Sequence, residues 1–253
     1  MPNLASTCAI AVMAKAPRPG HVKTRLQGLL TADEAAALGA AFLTDTTTNL
    51  AAAARIAPIH PYVAYAPAGQ EARFDGLLAP GTRLILADGV TAPPPDSPGV
   101  EGFGRILLHA VTGLFALGYG AVALLSADSP TIPTAWLVHA AQRILAPGAR
   151  TVLGPAEDGG YWLIALQTPA PMLFARIAWS SDTVAAATIA RAAEIPLPLE
   201  TLGTWFDVDD RDSLARLMDP YAAEPYAAEP FAAPATMALI GQFGLNDRLS
   251  AAV

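Results

Sequence analysis

Four cations and no acid lie in Lys15-Ala-Pro-Arg-Pro-Gly-His-Val-Lys-Thr-Arg25, within a chain whose net charge is −7. Lys15 and Lys23 are the only lysines of the protein; every other basic residue is Arg. Clustered cations of this kind can hold a polyanion. Arg18 and Arg25 could grip phosphate bidentately, while Lys15 and Lys23 act as point charges. Pro17, Pro19 and Gly20 stiffen and turn the segment, leaving it less entropy to lose on binding. The segment is not a Walker A loop, because Lys23-Thr24 lacks the preceding Gly and the spaced upstream Gly. A solvated basic loop is the competing reading.

Carboxylates come next. Asp128, in Ser126-Ala-Asp-Ser-Pro-Thr-Ile-Pro133, directly follows an apolar run. A hard cation such as Mg²⁺ or Mn²⁺ is held by one or two carboxylates plus substrate phosphates and water. Asp207-Val-Asp209 supplies the partner, since alternation puts both carboxylates on one side of an extended segment. Asp128 with the Asp207-Val-Asp209 pair is therefore the candidate metal site. The competing roles are a turn cap for Asp128 and a helix N-cap for Asp209 or Asp210. A third segment, Leu153-Gly-Pro-Ala-Glu-Asp-Gly-Gly-Tyr-Trp-Leu-Ile164, offers an acceptor at Asp158, close backbone approach at Gly159 and Gly160, and an aromatic platform at Tyr161. A hairpin with Asp158-Gly159 as its turn reads equally well. None of the four histidines has metal-ligand spacing, and His109 and Cys8 read as core residues. Neither a Gly-x-Ser-x-Gly elbow nor a Gly-x-Gly-x-x-Gly fingerprint is present, which weakens hydrolase and dinucleotide-binding readings.

These residues must be positioned by a sheet. Cys8–Ala14 is a continuous apolar run, as expected of a strand covered on both faces. Further strands are predicted at Ile59–Tyr65, Arg83–Ala87, Ala121–Ser126, Thr151–Leu153 and Tyr161–Leu166. Thr31-Ala-Asp-Glu34 opens a long Ala-rich helix with a capping box. Other helices are predicted at about 70–79, 103–117, 133–145, 182–194 and 210–218. Strands alternating with helices imply an α/β fold, a mostly parallel twisted sheet flanked by helices. In such sheets, ligands bind at the carboxyl edge, where the basic loop and Asp128 both fall.

Composition bounds the rest. The chain has 253 residues, is 53% hydrophobic and only 15% charged, which excludes global disorder. Its acidity gives no general electrostatic case for nucleic-acid binding. Cys8 is the only cysteine, so there is no intramolecular disulfide framework. Residues 106–127 carry no formal charge, but Gly118-Tyr119-Gly120 breaks the run into a helix and a buried strand rather than a membrane span. With no signal-peptide pattern at residues 1–7, the expectation is a cytoplasmic globular protein. The domain plan is one α/β domain over 1–219, a linker or arm over 220–234, and a short C-terminal segment over 235–253 that could form a helix. The middle piece reads PYAAE, PYAAE, PFAAP, and a proline every five residues forbids a regular helix.

The blocks AKAPRPGHVKTRL, SADSPTIP, LGPAEDGGYWLIAL, IAWSSDTV and FDVDDRDSL follow one another in an order that resembles the glycosyltransferase-A-like transferases termed rSAM/selenodomain-associated or arsenosugar-biosynthesis, over about residues 8–218. The chain is more distantly similar to 2-phospholactate guanylyltransferase. The resemblance implies a Rossmann-like nucleotide-diphospho-sugar transferase domain with a metal-bridged diphosphate. Lys15, Arg18, Lys23 and Arg25 would contact phosphates; Asp128 and Asp209 would hold Mg²⁺ or Mn²⁺. Asp158, Gly159, Gly160 and Tyr161 would line the sugar or acceptor pocket, with Asp158 the candidate base. One block departs from the pattern. Where a Gly-Asp-Leu-Gly-x-Arg-like stretch is usual, this chain has Glu101-Gly-Phe-Gly-Arg105, without the Asp and with the Arg displaced by one position. The expected activity is glycosyl transfer from a nucleotide sugar to a small-molecule acceptor. Nucleotidyl transfer from an NTP with pyrophosphate release, and nucleotide binding without turnover, are the alternatives. Homo-oligomerisation is left open.

Overall fold

A computed structural model describes residues 3–89, 97–195, 197–219 and 228–250. Its strands are β1 (Cys8–Lys15), β2 (Ile59–Ala66), β3 (Arg83–Leu86), β4 (Ala121–Ser126), β5 (Thr151–Pro155), β6 (Tyr161–Leu166) and β7 (Leu199–Thr201). Its α-helices are α1 (Ala32–Ala53), α2 (Phe103–Ala116), α3 (Thr134–Leu145), α4 (Val184–Ala193), α5 (Arg211–Leu217), α6 (Pro234–Gln242) and α7 (Leu245–Ser250). All seven strands form one sheet in the order β3-β2-β1-β4-β6-β5-β7.

β1 is continuously apolar because it is covered twice. Cys8, Ile10 and Val12 join a core with Leu38 and Phe42 of α1 and Leu137 and Ile144 of α3. Ala9 and Ala11 face a second core with Leu107, Val111 and Leu114 of α2. Burying a large apolar side chain in such a layer stabilises by roughly 1.5–3 kcal/mol. α1 begins where its capping box dictates: Glu34 donates its amide to Thr31 Oγ1 at 3.2 Å, and the Thr31 amide donates to Glu34 Oε2 at 2.9 Å.

The mostly parallel α/β sheet is as expected, with one local inversion that matters for the site. β6 runs antiparallel to both β4 and β5. Only residues 156–160 join β5 to β6, too few for a parallel crossover. β7 is a strand the sequence pattern does not announce. The helix expected at 70–79 is a single 3₁₀ turn, Glu71–Phe74, bounded by Gly69 and Gly76 at φ +77 and +74. Phe74 folds inward instead, with its ring 5.6 Å from Tyr65.

The apolar run at 106–127 divides at Gly118 (φ +96) into α2 and β4. Among the described residues, no helix is long and apolar enough to cross a membrane. Beyond α5, Tyr221 and Tyr226 of the pentads lie outside the described residues. Phe231 donates its amide to the Thr131 carbonyl at 3.0 Å. α6 then packs on α1, where the buried Asp45 carboxylate accepts the amides of Ala235 (3.0 Å) and Thr236 (2.7 Å). Gly244 (φ +60) splits the final stretch, read from sequence as one helix, into α6 and α7.

Candidate active site

The carboxyl edge of the sheet gathers acids from three places. Asp128 follows β4, its amide donating to Ser126 Oγ at 3.1 Å. Its carbonyl accepts the Val208 amide at 2.8 Å, which ties the segment 207–209 to the end of β4. Val208 is fully buried, and this anchor turns the flanking Asp207 and Asp209 to the same side. Asp158 arrives on the turn between β5 and β6, its Oδ1 accepting the Gly160 amide at 2.8 Å. One carboxylate oxygen from each of Asp158, Asp207 and Asp209 lies within 4.8 Å of the others. The hairpin reading and the ligand reading of Asp158-Gly159 are therefore compatible: the turn delivers the acid.

Gly159 is what lets that turn sit there. It has φ +88, and a Cβ on it would lie 1.9 Å from the Asp182 carbonyl oxygen. Its own carbonyl accepts the Ala185 amide at 2.8 Å, fixing the turn to the start of α4.

Electrostatics separate the acids. Burial, and then the negative charges of Asp158, Asp128 and Asp209, push the Asp207 carboxyl up to about 8. Its Oδ1 is buried with no hydrogen-bond partner among the described residues. Asp210 is spent differently, as the N-cap of α5: Ser213 donates its hydroxyl and its amide to the Asp210 carboxylate and holds it below its ordinary range, with Arg25 adding to the effect. The N-cap role considered for Asp209 or Asp210 thus belongs to Asp210, which leaves Asp209 for the acidic group.

The four cations of the basic loop divide. Lys23 turns inward from a left-handed backbone (φ +48) with only 5% of its side chain exposed. Its ammonium meets Asp128 Oδ1 at 2.5 Å, the Val208 carbonyl at 2.6 Å and Asp209 Oδ1 at 3.1 Å. Burial would lower its pKa, but the two carboxylates overcome that and raise it. Arg25 is exposed and lines an open cleft of about 350 Å³ with Asp158, Phe206, Asp207, Asp209 and Arg216. Lys15 is exposed and Arg18 half-buried, and neither forms an ion pair among the described residues.

Two of the expected site residues, Lys23 and Asp128, meet each other. Lys23 is turned into the protein and is not among the residues that line the cleft. Asp128 and Asp209 both pair with Lys23, and the three acids whose oxygens converge are Asp158, Asp207 and Asp209. Asp207 joins the group, and the Asp-Val-Asp alternation is its signal in the sequence. Tyr161 contributes a buried hydroxyl with no hydrogen-bond partner among the described residues, and burial pushes its pKa well up. In the divergent 101–105 block Gly104 is closely packed: a Cβ there would lie 2.8 Å from the Phe174 carbonyl oxygen and 3.1 Å from Trp179, whose ring meets Phe103 edge-on at 5.6 Å.

The sequence pattern of the family described as "Uncharacterized protein conserved in bacteria (DUF2064)" matches residues 49–181, which include Asp128 and Asp158. No curated protein matches the chain. Among solved structures, a candidate nucleotide-diphospho-sugar transferase from Desulfovibrio desulfuricans G20 is 26% identical, with a TM-score of 0.74 over 94% of this chain and 98% of its own. CMP:2-keto-3-deoxy-manno-octonic acid synthetase, solved with CTP, shares the fold at 10% identity and a TM-score of 0.51, over 87% of this chain and 99% of its own. A Mycobacterium tuberculosis H37Rv protein solved with manganese is 17% identical over 85% of this chain and 98% of its own, at a TM-score of 0.44. The fold is thus that of the nucleotide-diphospho-sugar transferases, as the resemblance implied.

Proposed function

This chain belongs to the bacterial family DUF2064, and we propose that it is a metal-dependent transferase that moves a glycosyl group from a nucleotide sugar to a small acceptor. The observation that carries this reading is the convergence of Asp158, Asp207 and Asp209 at the carboxyl edge, beside a cleft reached by Arg25. The residues fit a hard divalent ion. Every donor is a carboxylate oxygen, and Asp207 Oδ1 is buried without a hydrogen-bond partner among the described residues.

Mg²⁺ or Mn²⁺ held there would neutralise charge on a diphosphate leaving group. Arg25 lines the same cleft and would bind the diphosphate directly, with Arg18 and Lys15 from the same loop supplying further charge. Positioning and electrostatic stabilisation would then supply most of the rate. The resemblance assigns Gly159, Gly160 and Tyr161 to the sugar or acceptor pocket; of the β5–β6 turn it is Glu157 and Asp158 that line the cleft, and the Tyr161 hydroxyl is buried. Asp158 keeps the role of candidate base only through the oxygen it does not give to a metal; its Oδ1 already accepts the Gly160 amide. Asp128 acts by holding Lys23 against Asp209.

A thermal-shift panel of NDP-sugars, NDPs and NTPs, each with Mn²⁺, Mg²⁺ or EDTA, tests the reading, because a ligand of the native state raises the melting temperature. The expected result is a metal-dependent shift that favours one NDP-sugar, followed by nucleoside diphosphate release when acceptor is supplied. An NTP preference with pyrophosphate release would replace glycosyl by nucleotidyl transfer. A cooperative melt unmoved by every ligand would remove the transferase reading.

A further inference from the structure

Lys23 has no capacity left for a substrate. An ammonium carries three donors, and three oxygens surround this one: Asp128 Oδ1 at 2.5 Å, Val208 O at 2.6 Å and Asp209 Oδ1 at 3.1 Å. The Phe42 ring lies beneath it at 4.8 Å from its centroid. Two carboxylates and a backbone carbonyl are also a donor set that a hard divalent cation accepts. Asp209 belongs to this set and to the convergent acids Asp158, Asp207 and Asp209. The two positions share a carboxylate, as the two ions of a binuclear site do.

We propose that Lys23 is a built-in cation that fills the second position of a potential two-ion centre, so that this protein takes a single divalent ion and uses Lys23 to position Asp209 for it. The inference rests on the reading of Asp158, Asp207 and Asp209 as the metal's donors. Charge agrees with it. The four carboxylates Asp128, Asp158, Asp207 and Asp209, balanced by Lys23 and one divalent ion, keep a single net negative charge. A second divalent ion in place of Lys23 would make the centre neutral and leave it less suited to the arginines of the basic loop. Lys23 is thus a positioning residue rather than a phosphate ligand.

Removing the ammonium while keeping the unbranched side chain, in Lys23→Met, should vacate the second position. The probe is Mn²⁺ alone, with bound and free ion counted by electron paramagnetic resonance and checked by calorimetry. One ion per chain is expected for the natural protein and for Lys23→Arg, and two for Lys23→Met. A cooperatively melting Lys23→Met that still binds one ion overturns the inference and leaves the metal reading of the acids standing. A natural protein that binds none, with Lys23→Met binding one, sinks that metal reading instead and supports the cation role of Lys23. Should Lys23→Met fail to fold, Asp128→Asn decides. It should keep one Mn²⁺ with affinity within about threefold, because Asp128 is not among that ion's donors, whereas loss of the ion overturns the assignment.

Discussion

Gly159→Ala is the sharpest perturbation of the site that leaves every charged group in place. The residue sits at φ +88, where an L side chain costs about 1–2 kcal/mol. Its new Cβ would lie 1.9 Å from the Asp182 carbonyl oxygen and 2.3 Å from the carbonyl carbon. Both are backbone atoms, so no rotamer change relieves the contact. The turn must retreat from residues 182–185 and give up the 2.8 Å bond from the Ala185 amide to the Gly159 carbonyl, a further loss of about 1–2 kcal/mol. The total is about 3 kcal/mol, which for a chain of this size lowers Tm by about 6–12 °C. Asp158 rides on the same turn, so Mn²⁺ affinity should fall by about ten- to a hundredfold, as when support around a metal ligand is removed. Gly28→Ala is the control: nothing lies within 4 Å of its Cβ position and its backbone is not left-handed, so Tm should hold or rise slightly. Calorimetric melts and Mn²⁺ titrations of the three proteins decide it. If Gly159→Ala melts with the natural protein and holds Mn²⁺ normally, the argument that this glycine places Asp158 is wrong.

Other expectations come from the frame. Glu34 accepts from Thr31 and pairs with Arg248 of α7, and these hydrogen bonds, the Arg248 ones foremost, hold its carboxyl at about 2. A depressed acid stabilises above its unfolded value and loses that contribution as pH falls through the folded one. Glu34→Gln should therefore cost about 1 kcal/mol at neutral pH, after screening of a partly exposed pair, and the difference from the natural protein should shrink between about pH 4.5 and pH 2 in denaturant titrations. Asp45→Ala leaves the Ala235 and Thr236 amides at the start of α6 without an acceptor. It should destabilise by about 2–3 kcal/mol, with amide exchange accelerated first in α6; unchanged exchange there would count against the cap. Cys8 is fully buried on β1, and burial pushes its thiol up to about 12. A disulfide reagent should label it only at the rate of global unfolding, and rapid labelling of native protein would contradict its placement.

Much of the frame is legible because local chemistry and tertiary packing agree. Thr31 and Glu34 specify the start of α1 by themselves, and the unbroken apolar run at Cys8–Ala14 has no use except in a strand covered twice. Legibility fails where a long-range choice decides. Nothing local in Tyr161–Leu166 says whether that strand runs parallel or antiparallel; the length of the turn before it does. At 70–79 the polar residues permit a helix, yet the pull of Phe74 toward Tyr65 limits it to one turn. In the site, residue types reveal a cationic loop and several carboxylates. They do not reveal which cation turns inward, because that depends on the left-handed backbone at Lys23 and on where Asp128 and Asp209 come to rest. Asp207 and Asp209 were legible as a same-side pair, and the structure adds that Val208 is the buried anchor that makes them so.

The contact between Lys23 and Asp209 closes 186 residues of chain, and that separation makes the cation centre a timekeeper of assembly. Closing so long a loop has an entropic cost that is recovered only when the intervening layers are already in register. β1 must be paired with β4, the turn at 156–160 must be seated on residues 182–185, and Val208 must have docked on Asp128 before the acids converge. A partly folded chain can hold its helices and its local hairpin and still have no centre. In refolding, capture of Mn²⁺ would therefore trail the recovery of helical circular dichroism, and the metal would report the arrival of the last strand ends rather than the growth of secondary structure.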